Sequence, residues 1–241
     1  MSNLENYMKQ QAIFCEQNDS ISKNLYSEYG VKRGLRDEKG QGVLTGLTNI
    51  SDIKAFEYHD GVKSPCDGEL SYRGYNIKDL VTGSKGKRFV FEEGAYLLLF
   101  GELPTDTQLM EFQGRLSDCM ELPTNFTRDV IMKAPTSDIM GSMTRSILTL
   151  GSYDKEKESL EIPNVLRQSM QLIAVFPMLA VYAYHAYCHY EKNESMYIHR
   201  PEKDLSIAEN FLRLLRPDTK FTELEARVLD IALLLHMEHG G

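Results

Sequence analysis

The sequence predicts an all-α, multi-helical fold with one small β-hairpin near the amino terminus. Three observations carry that expectation. From about residue 76 onward, apolar residues recur at spacings of three and four, the period of one helix face. Glycines and β-branched residues concentrate in a single earlier stretch, 34–61, where turn chemistry favours a hairpin over a helix. Nothing alternates strand with helix and no repeat of fixed period occurs, which argues against a Rossmann or barrel plan.

Residues 1–30 are polar with scattered apolar positions (Leu4, Tyr7, Met8, Ile13, Phe14), the pattern of one or two short helices forming an arm. Short apolar runs between the glycines at 34, 40, 42, 46 and 61 then mark the hairpin. GELSYRGYNIKDL, residues 68–80, reads as a turn followed by a helix, with Arg73 and Asp79 at the surface and Tyr72 and Tyr75 packing inward. An arginine in such a glycine turn could also hold a carboxylate or phosphate with two parallel hydrogen bonds.

IKDLV, FEEGAYLLLFGEL and TDTQLMEFQGRLSDCMEL carry the helical period, and Thr105 with Gln108 forms a capping pair after the helix-stopping Gly101 and Pro104. The same reasoning predicts helices near 125–133, 138–151, 163–190, 204–216 and 221–239, with Pro177 splitting or kinking the long one. Two parts are expected, an amino-terminal helical arm over 1–32 and a large helical domain over 33–241.

The 27 Lys and Arg against 35 Asp and Glu leave a net charge of −8, which disfavours broad nucleic-acid or anionic-membrane binding because phosphate affinity needs a positive footprint. The basic run SKGKR at 84–88 reads as a solvated loop. The longest apolar stretch, 172–184, is shorter than the roughly 20 residues that span a bilayer, and the first residues show no charged-then-apolar leader. Cys15, Cys66, Cys119 and Cys188 lie far apart, which suits reduced structural thiols better than a zinc site or a disulfide scaffold. A cytoplasmic location is the resulting expectation.

The last helix carries the candidate chemistry. In TELEARVLDIALLLHMEHGG, Leu224, Val228, Ala232 and Leu235 follow one stripe, and His236, Glu238 and His239 gather where glycines stop the helix. Three residues apart, His236 and His239 would share a helix face. They could ligate a metal, although a third ligand at matching spacing is missing. They could cap the helix C-terminus, where a protonated imidazole is favoured. They could also act as acid, base or hydrogen-bond donor near neutral pH. Spacing alone does not choose among these. The Met and aromatic stripe of 165–187 reads as core or subunit interface rather than as a cofactor box.

Several blocks, in order, resemble the citrate synthase family: RGLRDEKGQGV, NISDI, DGELSYRGYNIKDLV, FEEGAYLLLFGELPT, DIMGSMTRSILTLGSYD, LSIAENFLRLLRP and LLLHMEHGG. They cover roughly residues 33 to 241. The resemblance implies a citrate-synthase-like large domain in an enzyme that condenses acetyl-CoA with oxaloacetate to citrate and CoA at the entry of the tricarboxylic acid cycle. His239 would donate a hydrogen bond to the thioester carbonyl oxygen, and His236 would support it. Acetyl-CoA would be a substrate, with no resident cofactor or metal.

The resemblance further implies a homodimer, for which Met140, Met143, Ile147 and Leu148 offer an apolar face. It also places a second histidine, the carboxylate-binding arginines and the aspartate base beyond residue 241. The chain therefore reads as the amino-terminal, large-domain portion, inactive by itself. Two departures stand out. No histidine precedes the Asn-Phe of SIAENF, and 54–66 is longer than in compact bacterial members. Alternatives are a 2-methylcitrate synthase using propionyl-CoA and a non-catalytic helical interaction module.

Overall fold

The computed structural model describes residues 3–18, 22, 24–31, 34–36, 40, 42 and 46–238, arranged as two compact units, Met1–Leu47 and Thr48–Gly241. The first unit carries two short helices, α1 (Asn3–Gln17) and α2 (Asn24–Glu28). An isolated antiparallel bridge joins Arg36 to Gly42.

The second unit opens with an antiparallel meander of β1 (Ser51–His59), β2 (Val62–Tyr72) and β3 (Tyr75–Asn76). Two-residue turns join the strands. Asp60-Gly61 (φ 52° and 81°) and Arg73-Gly74 (φ 48° and 84°) hold both central residues in the left-handed region, the geometry that suits strand twist.

The hairpin is therefore longer and lies later than the 34–61 reading. Glu69 to Tyr72, read as part of a turn before a helix, form the end of β2 and pair with Ser51 to Lys54. Their alternation, Leu70 and Tyr72 against Glu69 and Ser71, becomes a strand signal only once the partner strand is in register. A register shift between Lys54 and Phe56 accommodates the stretch around Gly68. Only the base of the ribbon is buried, at Ser51 and Tyr72.

Helices follow: α3 (Ile77–Gly83), α4 (Val90–Phe100), α5 (Asp106–Asp118), α6 (Ile139–Gly151), α7 (Ile162–Lys192), α8 (Ile207–Leu215) and α9 (Glu223–Leu235). The Thr105–Gln108 capping box is present at α5. Equivalent boxes, Ser206 with Glu209 and Thr222 with Glu225, start α8 and α9. The helix expected near 125–133 is instead a π-turn, Thr127–Ile131, because Asn125 enters in the left-handed conformation and Met132 N–H closes back on the Thr127 carbonyl.

Pro177 does not split α7. The helix runs unbroken for 31 residues, and the proline sits in a stretch whose buried side chains run from Ala174 to Cys188. Tertiary packing on both sides of the missing N–H outweighs its cost. By length and hydropathy α7 matches a bilayer-spanning helix, contrary to the sequence estimate, which counted only the uninterrupted apolar run. Its middle instead forms the principal core, where Leu179, Val181 and Ala183 meet Phe126, Ile131, Ile207 and Leu214.

A second cluster joins Tyr72, Ile77, Leu80, Val90, Leu97 and Leu234, which brings the base of the β-ribbon against α4 and the end of α9. On α6, Met143 and Ile147 face this interior and pack on the principal core, while Met140 (77% exposed) and Leu148 (73%) face out. The four do not form one outward face. On a 3.6-residue period, 143 and 147 fall on the inner arc with Ile139 and Leu150, while 140 lies at its flank and 148 on the far side.

Candidate functional site

The candidate site lies where α9 ends, and its helix is oriented differently from the sequence expectation. Leu224 (72% exposed), Val228 (61%) and Leu235 are exposed, and the buried positions are Ala226, Asp230 and Leu234. The apolar stripe read from sequence is thus mostly an outer face. A carboxylate occupies the inner one because its two oxygens are satisfied by α4. Asp230 Oδ2 accepts from Val90 N–H and Oδ1 from Phe91 N–H, each at 2.9 Å.

This arrangement explains how α4 starts at all. Its N-cap, Phe89, adopts φ 62° and offers no capping side chain. Asp230, 140 residues downstream, supplies the acceptors that a Ser or Asp would normally provide locally. One turn into α4, Glu92 Oε1 accepts at 2.7 Å from Ile207 N–H, the first helical residue of α8. Glu209 of α8 in turn pairs with Arg88, just ahead of α4.

A relay of carboxylates therefore ties α9 to α4 and α4 to α8. Glu92 is 1% exposed, and burial, reinforced by the nearby Asp230 charge, pushes its carboxyl up to about 8. Its Oε2 is buried without a hydrogen-bond partner, as suits a group held neutral. Burial also raises Asp230, but its two backbone N–H donors work in the opposite direction. Neither acid was singled out from the sequence. The only signals available were a charged residue on the apolar arc of a helix and a helix start without a local cap.

The helix stops sooner than 239. α9 ends at Leu235, His236 is its C-cap, and Met237 and Glu238 are non-helical. His239 lies outside the described residues. His236 is exposed, and its Nδ1 donates to the Ala232 carbonyl at 2.7 Å. That is the capping use among the three readings. His185, His189 and His199 similarly bond the carbonyls of Leu214, Glu194 and Pro217. Among the described residues, no three His, Cys, Asp or Glu side chains converge to hold a metal.

Other sequence candidates have structural duties. Arg73 donates through Nε and Nη2 to the Leu98 carbonyl near the end of α4 (3.3 and 2.9 Å). Within SKGKR, Lys87 pairs with Glu93 and Arg88 with Glu209. Asn210, fully buried, clasps Glu202 through both its side-chain atoms and so holds the loop ahead of α8. The position before Asn210 is Glu209, whose carboxylate serves the Ser206 N–H and Arg88. Elsewhere, a cavity of about 670 Å³ opens between the end of α5, α6 and α7, lined by Leu122, Ile147, Leu150, Tyr153 and Leu172. Arg167 borders it and is held by Asp154 at 2.8 Å, and no residue of the α9 terminus lines it.

Comparison with known proteins agrees with this architecture. A family model described as "Citrate synthase, C-terminal domain" matches residues 35–241. A 2-methylcitrate synthase of Shewanella oneidensis is 32% identical over 171 residues, covering 70% of this chain and 42% of the relative. A citrate synthase of Saccharolobus solfataricus is 29% identical over 209 residues, 87% of this chain and 48% of its own length. The crystal structure of citrate synthase from Pyrobaculum aerophilum superposes with a TM-score of 0.66 at 26% identity, over 87% of this chain and 50% of that one. The chain thus spans about half the length of the relatives it matches.

Proposed function

The chain belongs to the citrate synthase family, and from that premise we propose that it forms the amino-terminal, large-domain part of an acyltransferase that condenses acetyl-CoA with oxaloacetate. In this reading acetyl-CoA loses an α-proton, and the enol carbon attacks the oxaloacetate ketone. Water then cleaves the resulting thioester to citrate and free CoA. Negative charge develops on the thioester oxygen as the α-proton leaves, so a donor fixed at that oxygen stabilises the transition state more than the ground state.

His239 takes that role, His236 supports it by closing the end of α9, and no resident cofactor is involved. The observation that carries the reading is the family match running unbroken from residue 35 through the terminal block LLLHMEHGG. The test is thiol release by the full-length protein with oxaloacetate and either acetyl-CoA or propionyl-CoA.

A second reading, 2-methylcitrate synthesis from propionyl-CoA, is favoured by the Shewanella relative. One methylene is worth only about 10- to 200-fold in selectivity, so the ratio of kcat/KM on the two thioesters decides between them. Absence of thiol release with both would sink the enzymatic reading and favour a helical interaction module.

Homodimerisation through α6 belongs to the same proposal, now resting on Met140 and Leu148, the outward-facing pair. Replacing Leu148 with Asp would place a charge against the partner's apolar surface. Sedimentation velocity of the full-length protein is expected to show dimer for the wild type and monomer for Leu148→Asp. An unchanged dimer would place the interface elsewhere.

A further inference from the structure

Three carbonyls near the end of α9 are held by two residues. The Ala232 carbonyl receives His236 Nδ1 and the Leu233 carbonyl receives the His236 N–H. The Leu234 carbonyl receives a side chain from another part of the fold, the Tyr72 hydroxyl, at 2.9 Å. Without it this carbonyl would be one of the unpaired groups that every helix end leaves behind. Tyr72 is the last residue of β2 and is fully buried, with its ring among Ile77, Leu80, Val90, Leu97 and Leu234.

The other half of the seat is steric. On α4, a Cβ at Gly94 would lie 2.5 Å from Leu234 Cδ1 and 2.9 Å from Met237 Sδ, so the end of α9 rests against α4 across a bare backbone. The residue after Tyr72, Arg73, clamps the Leu98 carbonyl of the same α4. One dipeptide at a strand end therefore fastens both helices between which the turn is suspended.

We infer that Tyr72 is a positioning residue: its hydroxyl fixes the turn 235–238, and through it the peptide that leads directly into His239. This rests on the functional reading above for its consequence, though not for its geometry. The ring fills the cluster whether or not the hydroxyl is there, so Tyr72→Phe removes the tether and keeps the packing. A donor that must meet an oxygen within hydrogen-bond distance tolerates little displacement, and a misplacement of about 1 Å can cost on the order of 100-fold in rate.

In the full-length protein, Tyr72→Phe is expected to lower kcat about tenfold or more while KM for both substrates stays within about twofold, the signature of an interaction expressed in the transition state. Hydrogen exchange should quicken at the amides of 236–238 and stay unchanged along α7. Tyr75→Phe, at a half-exposed tyrosine of the same sheet, should alter neither. A variant with wild-type kcat and only a lowered melting temperature would overturn the inference and leave Tyr72 as a packing residue. A wild type that releases no thiol would sink the functional reading instead. In that event the exchange experiment still decides the tether, and unchanged exchange at 236–238 would overturn it.

Discussion

Replacing His239 with Ala in the full-length protein is expected to lower kcat for thiol release about 100- to 1,000-fold, the usual effect of losing one oxyanion-stabilising donor. KM for oxaloacetate should hardly change, because in the proposed role the donor would address the thioester oxygen and act chiefly as charge appears there. His236→Ala should cost less. Its Nδ1 is committed to the Ala232 carbonyl, so its removal loosens a helix end without removing the donor itself. Steady-state kinetics of both variants beside wild type, with circular dichroism to establish folding, measures the difference. A His239→Ala enzyme within a few-fold of wild type would leave the residue without a catalytic role.

The second large effect concerns pH and originates in Glu92. Its carboxyl is pushed up to about 8 in the fold from an ordinary value of 4.5, first by burial and then by the Asp230 charge. Between those two values the folded protein binds a proton that the unfolded chain releases. Stability from this group is accordingly fully present at the acid end of the window and falls as pH rises. The slope can reach about 1.4 kcal/mol per pH unit, the limit for one proton. Glu92→Gln keeps an oxygen for the Ile207 N–H and removes the titration. Urea unfolding from pH 5 to 9 should show a declining midpoint for the wild type and a flatter profile for Glu92→Gln, with the variant relatively favoured near pH 9. Parallel profiles would mean that Glu92 does not bind the proton.

Asp230 makes the contrast between two buried acids that feel each other's charge. Both its oxygens accept backbone N–H bonds, which favour the ionised form, whereas Glu92 Oε1 accepts from Ile207 N–H and Oε2 is left unbonded. The environment separates their roles in the way paired carboxylates generally divide.

Much of this was visible in one dimension. The capping box at Thr105, the helices over 139–151 and 207–215, and the arm helices all follow from spacing and local side chains. The ordered motif blocks carried the family, because each records a constraint that a random helical protein would not meet in series. The π-turn at 127–131 was not visible, since its cause is the left-handed Asn125 rather than any change in hydrophobic period. The strand at 69–72 needed its partner in register before its alternation meant anything.

What the linear text could not supply is which face of a helix turns inward. On α9 the apolar residues Leu224 and Val228 face out and Asp230 faces in, the reverse of a hydropathy reading. That choice depends on two N–H groups at the start of α4, 140 positions away, which make a buried carboxylate cheaper than two orphaned donors. On α6 the same question separates Met143 from Met140. Helix type, helix ends and family membership are local or serial properties, written in neighbouring residues. Burial of polar groups and the seating of the α9 terminus by Tyr72 and Gly94 are long-range, because a hydrogen-bond partner or a steric gap exists only once distant segments meet.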